Sequence, residues 1–147
     1  MHVTMLLCES AQEINGKLYI LGGGWSVTGP GPFQWALAVR VEVPWDEANV
    51  RKKVRLFLHD ADGHAVMLPG TQTPIELNAE LEVGRPAGMP RGIPIDTAFA
   101  VQGMPLVLPS GRYVWRLAIG EREDDLWQVG FYVRPPQDRV DGVSSTR

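Results

Sequence analysis

The feature that most constrains the fold of this chain is an alternation of apolar and polar residues with a period of two. In "WALAVRVEV", residues 35–43, every second residue is apolar and large, and Arg40 and Glu42 occupy intervening positions. The segments 53–60 and 74–83 repeat this pattern. Such alternation puts one face of a strand on a core and the other in water, as in antiparallel sheets. The sequence therefore predicts an all-β protein.

Frequent turn signals divide the chain into about eight or nine short strands. The chain holds 16 glycines and 12 prolines, and turn sequences such as "DADG" separate the alternating segments. At most one short helical turn is expected, near 45–50, where Asp46 could cap it. Sequential short strands of this kind predict a two-sheet antiparallel sandwich. The candidate strands begin near residues 3, 17, 35, 53, 64, 75, 95, 112 and 126.

The segment "PSGRY", residues 109–113, favours an immunoglobulin-like version of this sandwich. Tyr113 follows a turn glycine by two residues, as in the tyrosine corner of such domains, although the cysteine of true immunoglobulin domains is missing. Residues 1–134 are predicted to form this single β-sandwich domain. Residues 135–147 lose all periodicity and are predicted to be a flexible C-terminal tail.

The segment "ILGGGWSVTGPGP", residues 20–32, looks most like a functional motif. A phosphate-binding loop would need a following lysine and a helix, and the prolines after Trp25 prevent a helix here. A structural corner at Gly22, Gly23 and Gly24 is the better interpretation, with at least one glycine at positive φ and Trp25 lying over the bare backbone. The alternative makes this loop a binding surface with Trp25 as an exposed anchor.

The loop "GRPAGMPRGIP", residues 84–94, is a second candidate binding surface. It offers Arg85, Met89 and Arg91 on a segment rich in proline and glycine between two strands. Its plainer interpretation is a long crossover between the sheets, which needs no function.

Residues suited to catalysis or metal binding are few. Cys8 is the only cysteine and would need one of the three histidines beside it to act as a nucleophile. Asp60, Asp62 and His64 could offer metal ligands, but a hairpin turn explains the "DADG" sequence between His59 and His64. The sequence therefore predicts no catalytic site, no metal, no cofactor and no enzyme activity. A small metal-dependent enzyme that uses Asp60, Asp62 and His64 remains the alternative.

Composition narrows the classes of partner. The net charge of −3 gives no general attraction for nucleic acid. The N-terminal segment "MHVTMLLCES" has neither a basic start nor an apolar run long enough to cross a membrane. With Cys8 alone, no internal disulfide can form. We therefore expect no nucleic-acid partner, no membrane contact and a cytoplasmic location.

The motifs "KLYILGGGWS", "EVPWDEAN" and "LPSGRYVWRL" give the chain a resemblance to a family of small uncharacterised bacterial proteins, mainly actinobacterial, that share a domain of unknown function. The resemblance covers residues 1 to about 134. It implies a cytosolic bacterial β-sandwich and carries no catalytic or binding residues. The sequence thus favours a non-catalytic binding or protein-interaction module with a protein partner still to be identified. The alternative is a structural subunit of a bacterial or phage-derived assembly, with homo-oligomers formed through strand edges.

Overall fold

The computed structural model describes residues 1–137 as an all-β protein with a single 3-10 turn, Trp45–Glu47. The helical turn falls where the sequence predicts it, although no side chain caps it. The predicted tail, 135–147, lies mostly outside the described residues. The strands are β1 (His2–Cys8), β2 (Ser10–Ile14), β3 (Lys17–Leu21), β4 (Val27–Thr28), β5 (Ala36–Val43), β6 (Lys52–Asp60), β7 (Glu76–Leu81), β8 (Ile95–Gln102), β9 (Gly111–Ile119) and β10 (Arg122–Val133).

These strands form three sheets. The largest has five strands in the order β4-β10-β9-β6-β7, and a second has three in the order β1-β5-β8. Strands β2 and β3 form a separate hairpin. Its turn places Asn15 at φ 52° and Gly16 at φ 78°, the left-handed pair that a two-residue Asn-Gly hairpin requires. All pairings are antiparallel except that of β10 with β4, which is parallel.

The five-stranded and three-stranded sheets share one hydrophobic core. The inward row of β5 is fully buried, and Leu37, Val39 and Val41 have no exposed surface. Leu56 of β6 and Trp115 of β9 belong to the same cluster. Full burial of such side chains contributes about 1.5–3 kcal/mol each, so this shared core is the main source of stability.

The β2–β3 hairpin packs on the outer face of the three-stranded sheet. Cys8, Ala36 and Ala38 on that face are buried in a second cluster with Ala11 of β2. These side chains are small, so the hairpin backbone can approach the sheet closely. The Ser10 hydroxyl also donates to Oε1 of Gln102 at 3.3 Å. The sequence analysis did not predict this covering layer. The small side chains of Ala36 and Ala38, between the large apolar residues of β5, are the sequence feature that could have indicated it.

The structure corrects the predicted strands in two ways. The strand predicted near residue 64 is wrong, because this segment forms only the isolated bridges His59↔Ala65 and Met67↔Pro74. Strands β2 and β4 were missed, because β2 follows β1 after one residue and β4 has only two residues. The hairpin also makes a third sheet beyond the two that were predicted.

Tyr113 at the start of β9 anchors the preceding turn. Its hydroxyl donates to the carbonyl of Pro109 at 2.7 Å. Burial raises the pKa of Tyr113, so the phenol keeps the proton that it donates. This is the contact expected of the tyrosine in "PSGRY".

Candidate functional site

The glycine triplet is where the chain leaves the β2–β3 hairpin and reaches the edge of the five-stranded sheet. Gly22 and Gly24 have φ values of 60° and 89°, the positive values expected for at least one of the three. The Gly24 amide donates to the carbonyl of Leu7 at 2.7 Å, and the Glu9 amide donates to the carbonyls of Leu21 and Gly22. These bonds fix the segment on the end of β1, and they occupy an amide that a phosphate cradle would leave free.

Trp25 packs on aromatic rings. Its ring meets the rings of Phe33 and Phe131 edge-on, with centroid distances of 6.1 and 5.5 Å. Tyr113 stacks on the same Phe131 ring at 5.6 Å. Nε1 of Trp25 is the one buried side-chain polar atom without a hydrogen-bond partner among residues 1–137. Trp25 is therefore half-buried in the core cluster.

The predicted loop 84–94 crosses from β7 to β8, between the two larger sheets. Its two arginines line a cavity of about 670 Å³ with Trp45 and Asp46 of the "PWDEAN" motif. Nη2 of Arg85 donates to the carbonyl of Trp45 at 2.9 Å, and its guanidinium lies 4.5 Å from the centre of the Trp45 ring. Arg91 lines the same cavity, whereas Met89 is half-buried elsewhere in the loop. We call this space the polar cavity.

Side chains of both charges line the polar cavity. Glu42 on its wall is paired with Arg40 at 3.0 Å, and Arg40 also contacts Asp96 at 2.8 Å. The hydrogen bond to Glu42, followed by that to Asp96, raises the pKa of Arg40. Two guanidinium groups and the Asp46 carboxylate then remain on the wall.

The four predicted binding residues do not form one site. Trp25 contacts Phe33, which precedes β5, whereas Arg85 contacts Trp45, which follows β5. The eight residues of β5 separate these points by about 25 Å, at roughly 3.3 Å per residue. The structure brings Arg85 and Arg91 together and leaves Trp25 at the opposite end of the strand.

An apolar cleft of about 520 Å³ opens between the free edges of the two larger sheets. Residues of the segment 68–75 and the first two residues of β7 form one side, and the end of β8 with the segment after it forms the other. The stacked indoles of Trp35 and Trp115, with centroids 4.8 Å apart, lie at its base. The principal apolar residues of the cleft are Trp35, Leu68, Ile75, Leu77, Met104 and Val107. We call this space the apolar cleft.

The apolar cleft is open because the two sheets differ in width. Leu77 of β7 lies opposite Leu56 of β6 and on the same face of the sheet. Leu56 is only 2% exposed, but Leu77 is 41% exposed because the three-stranded sheet does not reach it. Met104, on the other side of the cleft, is 85% exposed. Contiguous exposed apolar surface of this kind is typical of binding sites.

Close packing around Gly103 holds the base of the apolar cleft in place. A Cβ atom at Gly103 would lie 2.4 Å from Cζ2 of Trp35, so only glycine leaves room for the indole. Nε1 of Trp35 donates to the carbonyl of Met104 at 3.0 Å. Sequence reasoning missed this site. Its one sequence signal was the apolar segment "GMPLVLP", residues 103–109, in a position between strands where polar residues are usual.

Asp60, Asp62 and His64 do come together at the turn after β6. Their potential ligand atoms all lie within 4.8 Å of one another. Oδ1 of Asp60 accepts hydrogen bonds from the amides of Asp62 and His64, both at 2.9 Å. These bonds, that from His64 first, lower the pKa of Asp60. The turn geometry accounts for the position of Asp60 without a metal ion.

Cys8 has the surroundings of a core residue. It is fully buried, and its thiol donates to the carbonyl of Leu6 at 3.4 Å. Burial raises the pKa of Cys8, which disfavours the thiolate that a nucleophile needs.

Comparisons with known proteins place the chain in a family. No curated protein matches its sequence. Within residues 1–137, no helix has both the length and the apolar character needed to cross a membrane. The sequence pattern of DUF6941, a family of unknown function, matches residues 3–134. That match reaches from the second residue of β1 to beyond the end of β10. The chain therefore belongs to the DUF6941 family of unknown function.

Proposed function

We propose that this protein is a non-catalytic binding module that takes an apolar segment of a partner protein into the apolar cleft. The observation that carries this proposal is the cleft itself, about 520 Å³ in volume, with Leu77 and Met104 exposed at its sides. Clefts of this size and lining are typical of ligand-binding sites. The exposed side chains lose water contact only when a partner covers them, and that burial supplies the binding free energy.

The architecture that presents this cleft is, we propose, an immunoglobulin-like sandwich. Two features support it: the five- and three-stranded sheets share a core, and Tyr113 donates to the carbonyl of Pro109 as in a tyrosine corner. We also propose a bacterial origin and a cytoplasmic location. The sequence resemblance supports both, and the single cysteine supports the second.

A non-catalytic role is supported by the surroundings of Cys8, the candidate nucleophile. Cys8 is buried, and its pKa is raised. The net charge of −3 favours a protein partner over nucleic acid.

Site-specific photo-crosslinking tests the proposed binding site. A photoreactive amino acid at position 77 should crosslink to a partner protein in native lysate. Leu126 provides the control position, because it is 82% exposed and does not line the cleft. Crosslinking at 77 but not at 126, and its loss in a Met104→Asp variant, supports the proposal. Equal crosslinking at both positions would refute it.

The polar cavity is a second proposed contact surface on this module. Arg85 and Arg91 line it together with Trp45, which gives it both hydrogen-bond donors and an aromatic wall. An Arg91→Ala variant should weaken partner binding if this surface takes part. Because Arg91 is exposed, the melting temperature should stay unchanged.

A further inference from the structure

Strand β7 has one paired edge and one open edge. It is the last strand of the five-stranded sheet, and among the described residues no strand pairs with its far side. The Leu58 amide donates to the carbonyl of Ile75 at 3.2 Å, and hydrogen-bonded pairs alternate along an antiparallel ladder. The main-chain groups of Leu77 therefore point to β6, and those of Glu76 and Asn78 point to the open edge.

The open edge of β7 lacks the features that keep exposed edges apart. The strand contains no lysine and no proline, and its pairing with β6 has no bulge. The row that faces the core is uncharged, with Leu77, Ala79 and Leu81, and Leu77 is 41% exposed in the apolar cleft. Soluble proteins usually protect such an edge or cover it. We therefore expect another extended segment to cover β7.

The outer face of β7 carries no net charge. Glu76 is paired with Arg55 at 3.0 Å. Glu80 lies directly opposite Lys53 in the register with β6. Each carboxylate of the strand thus has a cation of the same sheet beside it. Because like charges across an interface are what oppose association, this neutral face does not repel an identical face.

Two copies of β7 can pair antiparallel about a twofold axis, and the centre of pairing decides which side chains meet. When the centre is Leu77, this side chain lies opposite its counterpart in the second copy, and Glu76 lies opposite Asn78. A centre one residue later would put Glu76 opposite Glu80, and a centre two residues later would put it opposite Glu82. Like charges directly opposite each other destabilise a strand pair. The register centred on Leu77 avoids both conflicts.

We propose that the protein forms a twofold-symmetric dimer in which the two β7 strands pair antiparallel about Leu77. This inference rests on the proposed binding function and names a second copy of the chain as the partner. The two five-stranded sheets then become one continuous sheet, with main-chain hydrogen bonds between Glu76 of each copy and Asn78 of the other. Both apolar clefts lie on the same side of this sheet, so each Leu77 covers the other.

Disulfide crosslinking tests the register directly. The Cα atoms of a non-hydrogen-bonded antiparallel pair lie about 4.5 Å apart, within the range that a disulfide spans. Under mild oxidation, Leu77→Cys should therefore give a covalent dimer on non-reducing gels that a reductant reverses. Cys8, the only native cysteine, is fully buried and does not interfere.

Ala79→Cys is the matched control. Ala79 is exposed and belongs to the same row of β7 as Leu77. In the proposed register its two copies are offset by about 13 Å along the strands, at roughly 3.3 Å per residue. Crosslinking should be at least about tenfold slower at 79 than at 77, because this separation exceeds the reach of a disulfide. Equal rates at both positions, or no crosslink at 77, would overturn the proposal.

Charge at position 78 tests the same register in solution. Sedimentation equilibrium of the unaltered full chain should show a dimer, and a monomer at every concentration would contradict the proposal. Asn78→Lys places a cation opposite Glu76 of the second copy, whereas Asn78→Glu places an anion there. The dissociation constant should fall about threefold or more with lysine and rise about threefold or more with glutamate.

The fold itself should respond to these two variants in the opposite order. Asn78 lies opposite Arg55 in its own sheet, so glutamate gains an attractive neighbour and lysine a repulsive one. Weaker association of Asn78→Glu is therefore not a consequence of a damaged strand. If both charges weaken the dimer, or if neither changes it, the register centred on Leu77 is wrong.

The photo-crosslink at position 77 separates failure of this inference from failure of the proposed function. A product of twice the mass of one chain supports both. If position 77 crosslinks to a different protein and Leu77→Cys gives no dimer, the cleft binds a partner but that partner is not a second copy. If position 77 crosslinks to nothing, both proposals are wrong.

Discussion

Replacing Gly103 with alanine should disturb the base of the apolar cleft more than its small size suggests. The new methyl group would lie 2.4 Å from Cζ2 and 3.0 Å from Cε2 of Trp35. The indole has little room to move, because it stacks on Trp115 at 4.8 Å and donates to the carbonyl of Met104 at 3.0 Å. A shift of the ring would therefore weaken both contacts.

The expected loss follows from these two effects. Overpacking of a core costs about 1–3 kcal/mol, and a weakened hydrogen bond costs about 0.5–1.5 kcal/mol. We expect Gly103→Ala to lower the free energy of unfolding by about 2–4 kcal/mol. Urea denaturation followed by tryptophan fluorescence measures this loss. Hydrogen exchange at the Trp35 indole N–H should also accelerate, because its bond to Met104 is disturbed.

Gly84→Ala is the matched control. Gly84 does not have a positive φ, and its nearest neighbour to a new Cβ would be Oδ1 of Asn49 at 3.8 Å, an ordinary contact. This variant should change stability by no more than about 0.5–1 kcal/mol, since only the unfolded chain loses freedom. If Gly103→Ala is no less stable than Gly84→Ala, the packing argument for the base of the apolar cleft is wrong.

Four further predictions test other parts of the structure. Gly24→Val should cost about 1–3 kcal/mol in chemical denaturation, because Gly24 has a φ of 89° although nothing would meet its Cβ within 4 Å. Trp25→Ala should cost about 3 kcal/mol, and an unchanged melting temperature would place the ring outside the core. A hydrogen bond from Lys52 lowers the pKa of Glu47 below its ordinary value. This hydrogen bond therefore stabilises the fold fully above the ordinary pKa of a glutamate. The stabilisation is lost as the pH falls through the lower pKa that Glu47 has in the folded protein. In urea denaturation over an acid pH series, the free energy of unfolding of Lys52→Met should therefore fall less as the pH is lowered than that of the unaltered protein. Purified protein should hold no stoichiometric metal by mass spectrometry, and a bound ion that is lost in Asp62→Ala would show a metal site.

Local pattern was enough to predict most of the strands. Alternation in 35–43 and 74–83 gives an amphipathic surface only to an extended chain, so the strands there follow from the sequence. The 3-10 turn at Trp45–Glu47 was also predictable, because Pro44 restricts the backbone just before it. The positive φ of Gly22 and Gly24 was predictable because glycine adopts backbone angles that other residues avoid.

Which residues of the candidate sites meet was decided by tertiary structure. Arg85 and Trp45 lie forty positions apart in the sequence and contact each other because β7 and β8 belong to different sheets joined by the 84–94 loop. Trp25 shares a loop with the glycine triplet, but its ring turns to Phe33 and Phe131, an arrangement that no local pattern specifies.

The apolar cleft shows most clearly which features the sequence determines and which the tertiary structure decides. The sequence by itself determined that Leu77 belongs to an apolar row and Glu76 and Glu80 to an acidic row, because side chains alternate along any strand. Whether an apolar row is covered depends on how many strands each sheet contains and where each sheet ends. Those numbers result from long-range pairing, here five strands against three, and only the tertiary structure leaves Leu77 exposed at an open edge.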